Sequence, residues 1–92
     1  MADKITAAYK ETNPDTSVKA WHISYEVDDG GDNKNSFVIV IKAEDMTDAT
    51  DAAEAKTKAN VKAGAIKTAW LSALDNQTAT AEEPTLEGDV TL

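Results

Sequence analysis

Between Lys19 and Val27 apolar and polar residues alternate: Trp21, Ile23, Tyr25 and Val27 fall on one side, Ala20, His22, Ser24 and Glu26 on the other. A period of two, rich in aromatic and β-branched side chains, predicts a half-buried strand over about 18–28. A second strand is expected over about 36–44, where Phe37, Ile39 and Ile41 face one way and Val38 and Val40 the other. A strand apolar on both faces is normally central or covered twice. Only one helix follows, so one of these faces is left without an obvious cover. The intervening Asp28–Asn35 segment, with Gly30 and Gly31, has the composition of a hairpin loop.

Upstream, Ile5, Ala7 and Tyr9 suit a strand, whereas Ile5, Ala8 and Tyr9 suit a helical turn. The turn-forming Asn13-Pro14-Asp15-Thr16 behind them favours a first strand near 4–10. From about Asp48 to Asp75 the period becomes helical: Ala52, Ala55, Ala59, Ala63, Ile66, Trp70 and Leu74 recur at steps of three and four. Thr47 or Asp48 is the expected cap, and Glu54 precedes Lys58 by the four residues that favour pairing. Gly64 marks a kink or a close backbone approach. The stripe is all alanine in its first half. Its larger second half is expected to bury against Trp21, Ile23 and Tyr25, so that Trp21, Tyr25, Phe37 and Trp70 meet in one core.

These elements predict an α+β fold: a three-stranded antiparallel meander with one long amphipathic helix packed on it, and an extended C-terminal arm. Residues 1–76 form the domain and 77–92 the arm. The arm has no lysine and carries Pro84, and its apolar residues Leu86, Val90 and Leu92 would lie on one side of a strand-like end. Such a segment can add to an exposed sheet edge.

Composition narrows the function classes. The 92 residues hold one domain, without cysteine and with His22 as the sole histidine, so neither disulfides nor a His/Cys zinc site staple it. Seventeen acids oppose nine lysines, a formal charge of −8, and there is no arginine. An acidic surface without guanidinium forks repels phosphate backbones, so no direct nucleic-acid partner is expected. No apolar run approaches the roughly 20 residues of a membrane span. The start lacks the features of a signal peptide, so the chain is expected in the cytoplasm or assembled in a virion rather than secreted.

Catalytic chemistry is hard to assemble. His22, Ser24 and Glu26 share a strand face, but any alternating strand produces that spacing, and no nucleophile elbow is present. His22 is therefore read as a solvated strand residue, with no catalytic site, no cofactor and no small-molecule substrate. The loop acids Asp28, Asp29 and Asp32, with Asn33 and Asn35, are calcium-type ligands. The EF-hand spacing fails, however, since Ile39 and Val40 stand where its glutamate belongs. Glu44, Asp45, Asp48, Asp51 and Glu54 form an acidic run at the helix start, where acids complement the macrodipole.

The sequence thus favours a non-enzymatic structural or assembly protein, a small virion accessory subunit in concrete form. It would contact copies of itself or neighbouring subunits through Val38, Val40, Leu86, Val90 and Leu92. The alternative is a free acidic regulator that masks a basic partner, or mimics nucleic acid to it, with the Glu44–Glu54 run. A loop calcium module is the third reading.

Overall fold

A computed structural model describes residues 3–76 and 88–91. Three strands, β1 (Lys4–Thr12), β2 (Val18–Asp28) and β3 (Lys34–Lys42), form an antiparallel sheet in the order β1-β2-β3. A single 3-10 turn at Ala43–Asp45 leads to one helix, α1 (Ala52–Asn76). The predicted α+β meander with its long helix is the observed architecture.

Turn chemistry sets both hairpins. In the first, Thr16 takes a left-handed φ of 72°, and the Asn13 and Ser17 backbones close the loop through a 2.8 Å hydrogen bond. Asp15 accepts from both the amide and the hydroxyl of Ser17. In the second, Gly30 supplies a φ of 85°, a conformation glycine adopts without strain. The Asp29 carboxylate gathers the amides of Gly31 and Asn33. β2 ends where the alternation placed it, and β3 is shifted two residues toward the loop, beginning at Lys34 and stopping at Lys42.

The strand apolar on both faces is not central. β2 occupies the middle and β3 is an edge. Trp21, Ile23 and Tyr25, opposite Ile41, Ile39 and Phe37 of β3, face the helix. In β1 the register slips between Ile5 and Ala7, which leaves Thr6 as the extra residue of a bulge. A one-residue slip reverses the side-chain pattern. Ile5 therefore stays under the helix beside Tyr25, while Ala7 and Tyr9 turn to the outer face.

α1 begins one turn later than expected, at Ala52. Its cap is Asp51, not Thr47 or Asp48. The Asp51 carboxylate accepts from the amides of Ala53 (3.0 Å) and Glu54 (3.2 Å), and its carbonyl accepts the first intrahelical bond from Ala55. Glu54 reaches back to the amides of Thr47 (2.7 Å) and Asp48 (2.9 Å), tying the incoming loop to the first turn in the manner of a capping box. Glu54 also pairs with Lys58.

The helix buries its alanines. Ala55, Ala59 and Ala63 join Ile23, Tyr25, Ile39 and Ile41 in the core, with Ile5, Trp21, Phe37 and Met46 packed around them. Tyr25 and Phe37 stack at 5.6 Å, and the Trp21 indole N–H donates to the Ala49 carbonyl. The larger half of the stripe is not in this cluster: Ile66 is 39% exposed and Trp70 only half-buried. Length explains the correction. α1 starts above the Trp21 end of β2, meets Tyr25 at Asn60 and Asp3 at Lys67, and so reaches the far end of the sheet by about its sixteenth residue. At ~1.5 Å per residue, the last turns run past the strands. The helix is continuous through Gly64, and a Cβ there would meet nothing within 4 Å, so the glycine does not mark a close backbone approach.

No described helix is long and apolar enough to cross a membrane. Most of the predicted arm, including Leu86 and Leu92, lies outside the described residues; Val90 is described and is 70% exposed.

Candidate interaction surface

The sheet has two faces, and among the described residues one helix covers only one of them. Register places Tyr9, His22 and Val40 in one cross-strand row, and Ala7, Ser24 and Val38 in the next. Val38 is 56% and Val40 45% exposed, large values for β-branched residues in a regular strand. Tyr9 is exposed as well. Charged pairs bound this apolar band at its ends: Lys4–Glu26 at 3.6 Å and Lys19–Glu11 at 3.5 Å. The β3 edge lies beside it and pairs with no other strand among the described residues.

His22 sits in the middle of the band and is not a solvated strand residue. Its ring stacks on Tyr9 at 4.7 Å with the planes 2° apart, and Nε2 lies 3.0 Å from a Glu11 carboxylate oxygen. The His22 hydrogen bond, then the nearby Lys19 charge, hold the Glu11 carboxyl below its ordinary pKa. The stack and the Glu11 contact tie the His22 ring to β1 across the band. Alternation identified Val38 and Val40 from sequence. It missed Tyr9, because the bulge at Thr6 that turns this residue outward has no sequence mark.

The acidic run resolves into separate duties. Asp51 and Glu54 are the cap just described, and Asp48 accepts from the amide and hydroxyl of Thr50. These hydrogen bonds lower the Asp48 and Glu54 pKa values: Thr50 acts first on Asp48, and the Asp48 amide first on Glu54. Glu44 and Asp45 lie exposed in the 3-10 turn. Asp48, Asp51 and Glu54 thus organise the backbone at the helix start, while Asp48 and Asp51 remain as exposed as Glu44 and Asp45.

The hairpin acids are engaged in the same way. Asp28 accepts from Gly30 N, and Asp29 from Gly31 N, Asn33 N and the Asn33 amide group. Among the described residues, no three His or acidic side chains converge as metal ligands would. No protein-family model, curated protein or solved structure matches this chain.

Proposed function

We propose that this chain is a non-enzymatic assembly protein that docks on other protein subunits, first of all on copies of itself, through the outer face of its sheet. The single observation behind this reading is the open apolar band of Tyr9, Val38 and Val40. Val38 and Val40 are each about half exposed, so a covering partner would recover roughly 1 kcal/mol of burial from each. The charged residues at the rim are already paired in cis, so the −8 charge of the chain is not concentrated where two copies would meet.

Size and layout, a small body with an apolar face, fit an accessory subunit of a larger shell such as a virion. Val90, with Leu86 and Leu92, would add an edge strand to a neighbour. The lone imidazole is engaged by Tyr9 and Glu11, which supports a positional role over a catalytic one.

The test is the double variant Val38→Lys/Val40→Lys, followed by sedimentation velocity and light scattering across a concentration series. The native chain should associate, and the variant should stay monomeric with unchanged circular dichroism. A native chain that remains monomeric at the highest concentrations, or a variant that associates equally well, overturns the proposal. Deleting residues 84–92 should leave the body folded and weaken association.

A further inference from the structure

Opposite the open face, where α1 passes over the start of β1, the helix and sheet diverge around a cleft of about 420 Å³. Its helical wall is a stripe of Lys56, Asn60, Gly64 and Lys67, spaced by four, four and three residues and adjacent to the buried alanines. Its floor is apolar: Ile5, Val27, Ala63 and the Tyr25 ring. Cavities of roughly 300–1,000 Å³ with apolar linings and a few convergent polar groups are the usual form of small-molecule sites.

Among the charged groups of the lining, three lysines stand against one acid, and Lys4 is paired with Glu26. Lys56 has no carboxylate within ion-pair distance among the described residues. The Asn60 carbonyl oxygen accepts from the Tyr25 hydroxyl, which leaves the Asn60 amide N–H groups to donate. The one acid at the rim, Asp3, is occupied by Lys67 at 2.6 Å and by the Asp28 amide at 3.4 Å. The rim therefore offers uncommitted donors and a cation, while its acceptors are engaged. A methyl group at Gly64 would touch nothing, so only a longer side chain there could fill the cleft.

We propose that this cleft binds a small amphipathic anion, with its apolar body on Ile5, Val27 and Ala63 and its carboxylate- or sulfonate-type head against Lys56 and Asn60. The site is on the helical side of the sheet and does not depend on the assembly reading.

The experiment titrates the ¹⁵N-labelled full chain with decanoate, with decyltrimethylammonium as a cationic counterpart and with inorganic phosphate as a head group without a body. Decanoate should shift the amides of Ile5, Val27, Ala63 and Gly64 saturably, and the other two probes should not. Lys56→Glu should weaken decanoate binding by roughly tenfold or more, the weight of a charge-assisted contact. Gly64→Leu should abolish it by occupying the cleft. Lys56→Glu changes an exposed side chain, so it carries the test should Gly64→Leu fail to fold. Absence of saturable shifts, equal binding of the cationic probe, shifts centred on Val38 and Val40, or full affinity in Lys56→Glu would each overturn the proposal.

Discussion

Replacing Ala59 with leucine should destabilise the protein, although leucine and alanine are both strong helix formers. Ala59 is 0% exposed and lies between Ala55 and Ala63 on the stripe that faces the Ile23, Tyr25, Ile39 and Ile41 side chains. Helix propensity changes by only a few tenths of a kcal/mol between the two residues. Three added carbons must therefore be accommodated by packing. A core that is already filled resists such insertion at a cost of roughly 1–3 kcal/mol. At about 4–8 °C per kcal/mol for a domain of this size, the melting temperature should fall by roughly 4–24 °C. Urea unfolding followed by circular dichroism and tryptophan fluorescence measures the loss. Ala65→Leu is the control, since Ala65 is exposed on the same helix and the change there should stay within about 0.5 kcal/mol. Equal responses at the two sites, or a stabilised Ala59→Leu, would show that the helix does not rest on its alanine stripe.

Gly64→Ala should raise stability by about 0.5–1 kcal/mol in the same assay, because the new methyl group meets no atom and the helix loses a glycine. Asp51→Ala should cost about 1 kcal/mol as the cap is removed, and Thr47→Ala, which keeps its amide bond to Glu54, should cost less. Trp70→Ala should destabilise less than Ile41→Ala in paired denaturant melts, since Ile41 is fully buried and Trp70 lies outside the core cluster. Acid should destabilise the fold. Asp3, Glu11, Asp15, Asp29, Asp48 and Glu54 all have pKa values below their ordinary ones. A carboxylate with a depressed folded pKa contributes stability above its unfolded value and loses it as pH falls through the folded one. Thermal melts should therefore hold from pH 7 to about pH 5 and drop below about pH 4, and a flat profile to pH 2 would contradict the hydrogen bonds assigned to these groups.

Much of the fold was legible because local patterns and tertiary contacts agree. Alternation in Trp21–Val27 and the alanine periodicity of α1 each specify a face, and both faces meet in the core. The unmatched valines, Val38 and Val40, could also be read in advance, since two apolar strand faces cannot both be covered by one helix. Three features depended on distances that no local pattern encodes. The bulge at Thr6 sends Tyr9 to the outer face, and only the pairing of β1 with β2 defines it. Trp70 and Ile66 continue the buried stripe in sequence, yet lie beyond the end of the sheet, because helix rise and strand length are set independently. His22 alternates like a polar strand residue, and its stack on Tyr9 and bond to Glu11 follow from cross-strand register. The sequence by itself determined which strand and helix faces are apolar and where the chain turns, but it placed the helix cap at Thr47 or Asp48 where the fold uses Asp51. The tertiary structure decided which apolar residues are covered, because coverage is set by where elements of fixed length end relative to one another.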